Sequence, residues 1–317
     1  DAISKLPHFS PGMLLAYGRR SASPMLQSFA SEYAFGMNPE KPEPAPGVFR
    51  LDRDIKLACM LYNLFELPEN IRPEHTSREP VTWFADRQIF IARQNPEKTN
   101  LGTIAAIKGG DNAEGHNHND VGQFSIYLNG RPIIVDPGIF SYSRKTFSDE
   151  RYTLWWISGQ GHNASSVNGN WQQPGEAHKA KLLRIDTRPE QPSVVFELSG
   201  IYPESAGVAE YVRSFGIDRK SGAVTVTDLM RLKDTSGFDV AFDLYSPECP
   251  EWENGKRLRW NSMSLVYDNI ECVNIAEVPL NGDSSMMQSW GQLFRISFSG
   301  NFSGATPWKL LFIPTSL

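Results

Sequence analysis

QFSIYLNGRPIIVDPG, residues 123–138, decides the fold class. Apolar and polar residues alternate through FSIYL, Asn129-Gly130 supplies the pair that a two-residue type I′ turn demands, a second run returns, and Asp-Pro-Gly stops it. The stretch therefore reads as strand, tight turn, strand. Runs of the same kind recur downstream: SVVFELSG (193–200), GAVTVTDLMRL (222–232), DVAFDLYS (239–246), FRISFSG (294–300) and WKLLFIP (308–314). Each is rich in β-branched and aromatic residues and is bounded by Gly, Pro, Ser or Asp. From Val81 onward the pattern predicts a large antiparallel β-sandwich, with no internal repeat and no low-complexity tract.

Upstream the period changes. PGMLLAYGRRSASPMLQSFASEYA (11–34) carries apolar residues three and four apart, and DRDIKLACMLYNLFEL (52–67) does so more cleanly, with Asp52 or Asp54 as N-cap. Both predict helices. MNPEKPEPAPG (37–47) and PENIRPEHTSREP (68–80) are too rich in proline to continue a helix, and the second marks a domain boundary. The expected class is α+β and multidomain: a helical segment over residues 1–80, then an antiparallel β-sandwich over 81–317. The chain opens on Asp-Ala-Ile-Ser instead of Met, in what reads as the run-up to a helix, which suggests a trimmed sequence.

Composition narrows the function classes. The 317 residues are 40% hydrophobic and 21% charged, enough to build a core, and the net charge of −5 leaves no global footprint for nucleic acid. No run approaches the roughly 18–20 apolar residues of a membrane helix, so no membrane insertion is expected. Cys59, Cys249 and Cys272 form no CxxC pair, which disfavours a disulfide scaffold and thiolate zinc sites, and they read as small buried hydrophobes.

Four of the six histidines fall between residues 116 and 178, in the words GHNHND (115–120) and GHNAS (161–165) and in GEAHKAK. His116 and His118 are two apart, so on a strand both would face one side. Asp136 closes the hairpin's second strand, and His162 arrives from a later loop. Two imidazoles and a carboxylate suit a borderline divalent cation such as Zn²⁺, with a fourth position left open. The spacing equally allows a hydrogen-bond network, and an Asp before Pro-Gly can serve its own turn.

The ordered words GHNHNDVGQFSIYLNGRPIIVDPG (115–138) and SYSRKTFSDERYTLWWISGQGHNASSVNG (141–169), with the element at 172–181, resemble the heparinase II/III-like family of polysaccharide lyases. The resemblance implies an α/α toroid packed on a β-sandwich, with residues 1–80 as the toroid's last helices. It implies a divalent metal, usually zinc, at His118, Asp136 and His162, with His116 facing the substrate and Tyr152, or its competitor Tyr142, contributing to catalysis. The family's toroid Asn and Tyr or His have no matching motif in residues 1–80, where Tyr17, Tyr33 and Tyr62 read equally as helix packing. The implied activity is β-elimination on uronate-containing acidic glycans of heparin, heparan or alginate type, in a bacterial protein that is periplasmic or secreted. The expected partner is an acidic polysaccharide, with no nucleic acid; a homodimer is compatible.

Around this centre other residues carry two readings each. Arg144, Lys145 and Arg151 can meet carboxylates or sulfates or form a solvated face. Trp155, Trp156 and Trp171 can stack on sugar rings, although one of the adjacent pair is expected in the core. Asn117 and Asn119 suit turns or ligand contact, and Asp120 can orient an imidazole or cap a strand. His8, His75 and His178 read as surface residues. The alternative to a lyase is a non-catalytic glycan-binding or toroid-bracing module with a structural metal; metal-dependent hydrolysis is the third reading.

Overall fold

The computed structural model describes residues 11–36, 78–98, 101–138, 140–234, 237–253, 255–280, 283, 286–287, 290–305 and 307–315. The chain divides into two compact units, Asp1–Arg78 and Glu79–Leu317. The first contains α1 (Pro11–Arg20) and α2 (Pro24–Gly36), two helices where the apolar spacing predicted one continuous segment. The break has a local cause. A residue before proline is disfavoured in the α basin, Ala22 turns left-handed at φ 48°, and Ser23 Oγ accepts the Leu26 N–H at 3.3 Å, starting a new helix with Pro24 in its first turn. Gly18 permits close approach of the two: a Cβ there would stand 3.0 Å from the Gln27 backbone nitrogen. The expected helix at 52–67, both proline-rich stretches as far as residue 77, Cys59, Tyr62, His8, His75 and the Tyr33 side chain lie outside the described residues. Tyr17 is exposed.

The second unit is built from strands. In chain order they are β1 (Val81–Phe84), β2 (Ile89–Arg93), β3 (Thr103–Lys108), β4 (Asp111–Asn112), β5 (Phe124–Leu128), β6 (Arg131–Ile134), β7 (Ser165–Val167), β8 (Gly175–Lys179), β9 (Lys181–Asp186) and β10 (Ser193–Glu197). They continue as β11 (Val208–Asp218), β12 (Ala223–Leu232), β13 (Phe238–Ser246), β14 (Glu251–Glu253), β15 (Arg257–Arg259), β16 (Met263–Asp268), β17 (Glu271–Glu277), β18 (Phe294–Phe302) and β19 (Trp308–Pro314). Sheets of five (β1-β2-β3-β5-β6), eight (β14-β15-β16-β19-β12-β11-β10-β9) and four strands (β17-β18-β13-β7) result, with β4 pairing β8. All seven predicted strand runs, two in the hairpin and five downstream, are strands, and the fold class is α+β with an antiparallel β-sandwich, as expected.

At the β5–β6 hairpin, Asn129 and Gly130 take φ 51° and 74°, the double left-handed turn that the Asn-Gly pair predicts. The strands alternate buried and half-buried residues, so each sheet presents one apolar face. Phe124 of β5 stands where three sheets meet: its ring lies 5.7 Å from Phe215 of β11, 6.2 Å from Phe312 of β19 and 6.4 Å from Phe242 of β13. All four are fully buried, each contributing up to about 3 kcal/mol of transfer free energy. The β5 position matters because the segment just before it carries the paired histidines. Cys272 is buried as expected, whereas Cys249 is exposed, in the Ser246–Pro250 turn region after β13 rather than in a core face.

Candidate functional site

His116 and His118 do not lie on a strand. They sit in the loop from β4 to β5, in a turn closed by the Asn117 N–H to Glu114 O at 3.0 Å, and His116 adopts φ 58°. The left-handed step destroys the period-two relation on which the strand reading relied: His116 is exposed, Asn117 buried and His118 half-buried. Asp136 lies two residues beyond β6, and its Oδ1 accepts the Gly138 N–H at 3.1 Å, so the turn role expected of an Asp before Pro-Gly is also present.

The three predicted ligands nevertheless meet. His162 is fully buried, its Nδ1 3.1 and 3.2 Å from the two Asp136 carboxylate oxygens, and the His118 ring centroid is 5.2 Å from that of His162. Burial, then the neighbouring His162, holds the His118 imidazole down to about 4, which keeps its lone pair free near neutral pH. Burial also penalises charge on the other two, but their attraction and hydrogen bond outweigh it, raising His162 and lowering Asp136.

Among the described residues no three His, Cys, Asp or Glu side chains converge tightly enough to ligate an ion as they stand. Their chemistry fits one all the same. His162 Nδ1 and the Asp136 carboxylate oxygens face each other at 3.1 and 3.2 Å beside the His118 ring, so an ion held by all three would take the place of that hydrogen bond. Two nitrogen donors and one oxygen donor, one imidazole held neutral, form a set for a zinc-type ion.

Beside this cluster His116, His118, Tyr142, Thr146, Phe147, Arg151, Trp156 and Ile157 line a recess of about 10 Å³, room for about one water. Tyr142 is exposed, with its ring 6.5 Å from that of His116 and nearly parallel to it. Tyr152 is placed otherwise: its hydroxyl donates to Asn117 Oδ1 at 3.1 Å, and it does not line the recess. Arg151 donates through Nη2 to Asn117 O at 2.6 Å and lies over the Tyr152 ring. Arg144 is exposed, on the 3₁₀ turn Arg144–Phe147.

Of the adjacent tryptophans Trp156 is the buried one, as expected of one of the pair, and Trp155 is half-buried. Trp155 packs edge-on to Phe140 at 5.3 Å and stacks with Tyr245 at 6.1 Å, because its side of the chain faces a second apolar cluster around Val135, Leu280 and Leu293. Trp156, its neighbour, presents its edge to His118 at 5.6 Å. Asn119 donates its side chain to Gln172 O at 3.1 Å, and Asp120 pairs with Lys108 at 2.7 Å, so neither touches an imidazole through these bonds. His178 is half-buried on β8, its Nδ1 2.9 Å from Gly200 O.

Four bracing residues escaped the sequence reading. Buried Gln172 accepts the Val121 N–H and an Asn112 amide proton and donates to Val121 O, clasping the chain just after the histidine pair. Asn163, next to His162, donates to Phe124 O and Val135 O and accepts the Tyr245 N–H, stitching β5, β13 and the segment after β6 together. Arg213 of β11 and Asp228 of β12 face each other in register, both about 1% exposed. All five Arg213 N–H groups are used: two on Asp228, one on Tyr211 Oη, and one each on Gly122 O and Asn163 O, which tie both histidine loops to one guanidinium. The signal was a charge at the apolar phase of an alternating strand, YVRSF and TVTDLM.

A family model, heparinase II/III-like, C-terminal, matches residues 76–290, more than half of the chain. The chain belongs to the heparinase II/III-like family. Solved structures agree on the fold. Heparinase III, the BT4657 gene product, aligns with a TM-score of 0.60 at 13% identity, covering 92% of this chain and 41% of that one. A mutant of heparan sulfate lyase HepC from Pedobacter heparinus aligns at 0.60 and 15%, covering 98% and 44%. Another heparinase III gives 0.57 and 14%, covering 92% and 43%. This heparinase II/III-like chain thus spans about two fifths of the length of those structures. None of the curated proteins matches it.

Proposed function

We propose that the protein containing this chain is a polysaccharide lyase that cleaves uronate-containing acidic glycans by β-elimination. The observation that carries the proposal is the meeting of exposed His116 and Tyr142 in one recess with Arg151, beside the His118–Asp136–His162 cluster, inside the region that the family model matches. In the reaction a base removes the proton on C5 of the uronate, the C5–H electrons become the C4=C5 double bond, the C4–O4 bond breaks, and O4 takes a proton. His116 serves as base and the Tyr142 hydroxyl as acid, both roles these side chains can fill when held at the rim of a site. Arg151 offers positive charge to the uronate carboxylate, whose neutralisation makes C5–H more acidic. Tyr152 acts through Asn117: its hydrogen bond holds the histidine turn that aims His116.

A zinc-type ion held by His118, Asp136 and His162 would supply attachment, binding the histidine loop, the turn after β6 and the loop before β7 to one point. Cleavage of such glycans implies an exported protein, periplasmic or secreted, of bacterial origin; no described helix is long and apolar enough to cross a membrane.

The test is a variant series in the full-length protein, read by absorbance of unsaturated uronate. His116→Ala and Tyr142→Phe are expected to lose about a hundredfold or more in rate, and Tyr152→Phe to keep most of it. A series in which all three variants retain wild-type rates would sink the lyase assignment to this recess. The two-fifths share of relatives favours one second reading, a module that binds glycan or braces the rest of the protein; glycan affinity without unsaturated product in the full-length protein would support it.

A further inference from the structure

Among the described large hydrophobic residues Phe147 is the most exposed, at 66%. It ends the 3₁₀ turn Arg144–Phe147, whose backbone is fastened at both ends. The Ser143 N–H donates to Thr146 Oγ1 at 3.0 Å, the Thr146 N–H to Ser143 O at 3.1 Å and the Ser148 N–H to Lys145 O at 3.1 Å, while Thr146 itself is buried. An exposed aromatic ring on a fastened turn loses little freedom when something lies against it.

The ring is not isolated. Tyr142, 53% exposed, meets it edge-on at 5.2 Å and on its other side approaches His116. Both line the recess, which holds about one water and no sugar ring, so a glycan must lie across the rim. Exposed Arg144 stands on the same turn, and Lys145 on it pairs loosely with Glu150 at 3.6 Å. Adjacent aromatic faces with an exposed guanidinium suit a ligand that has apolar C–H faces and negative charge together. An acidic pyranose has both.

We propose that Phe147, with Tyr142 beside it and Arg144 on its turn, forms a subsite that stacks one pyranose ring of an acidic glycan next to the scissile bond. The inference rests on the acidic-glycan reading above and adds the residue that holds the neighbouring sugar. Stacking and ion pairing leave different traces. Loss of the ring weakens neutral and acidic oligosaccharides alike and leaves the salt dependence of binding unchanged; loss of Arg144 weakens the acidic ligand alone and flattens its salt dependence.

Calorimetric titration in the full-length His116→Ala protein, which can bind without turnover, separates these effects. The probes are a heparan sulfate tetrasaccharide, a polyuronate tetrasaccharide and a neutral tetrasaccharide. Phe147→Ala is expected to weaken binding about tenfold, with Phe147→Trp restoring it. In the turnover-competent background, Phe147→Ala raises KM by a larger factor than it lowers kcat. Parental affinity in Phe147→Ala overturns the subsite. Parental affinity together with a lowered thermal midpoint also overturns it, assigning the ring to packing against the rest of the protein, and so does the absence of binding in the His116→Ala parent. Failure of the lyase reading is seen separately, as no unsaturated product from wild type, and leaves the titrations intact.

Discussion

His116 combines an exposed imidazole with a left-handed backbone, φ 58°, a conformation that costs an L-residue about 1–2 kcal/mol relative to its preferred basins. On the lyase reading proposed above, that strain serves the side chain and not the turn. His116→Gly removes the strain and adds unfolded-state entropy of similar size, so the two offset. The expected outcome is a thermal midpoint within about 2–4 °C of wild type together with loss of unsaturated product. A cooperative loss of structure in that variant would contradict the backbone argument. At this scale HNHND and HNAS were legible as a cluster, because residue type carries the chemistry. The exposure of each histidine was not, since one positive φ in the turn reassigns every side chain after it.

Elements position what residues supply. Gly161 ends the 3₁₀ turn Gly159–Gly161 that delivers His162, and a Cβ there would stand 2.5 Å from the Trp156 Cα and 2.8 Å from Trp155 O. Backbone cannot step aside as a flexible side chain can. Gly161→Ala is expected to lower stability by about 1–3 kcal/mol in urea unfolding and to weaken metal binding, because His162 moves with the turn. The strands β11 and β12 carry the other element-scale prediction. Arg213→Met strands a buried Asp228 carboxylate and is expected to cost about 3–5 kcal/mol. Adding Asp228→Leu removes the stranded charge and recovers part of that loss, leaving the Gly122 and Asn163 carbonyls without their donor. Equal stability of the single and double variants would show that the carboxylate is not the cause. Strand periods were legible because burial on one face imposes alternation. The Arg213 and Gln172 braces were not, because their partners lie 91 and 51 residues away along the chain.

For the whole molecule the metal is the most direct test. Mass spectrometry of purified full-length protein is expected to find about one equivalent of zinc, lost in His118→Ala, and chelation is expected to lower the thermal midpoint, since an ion bound only by the folded state stabilises it by mass action. Metal-free protein that takes up none when zinc is supplied would reduce the cluster to the His162–Asp136 hydrogen bond. The sequence by itself determined the strand-and-turn grammar after residue 80 and the words that carry His118, Asp136 and His162. Local sterics and one-sided burial act within a few residues, so they can be read from the order of side chains. Tertiary structure alone decided that Tyr142 rather than Tyr152 lines the recess, that Trp156 rather than Trp155 is the buried tryptophan of the pair, and that one guanidinium ties both histidine loops. Those outcomes depend on packing among segments far apart in the chain, and no local pattern encodes it.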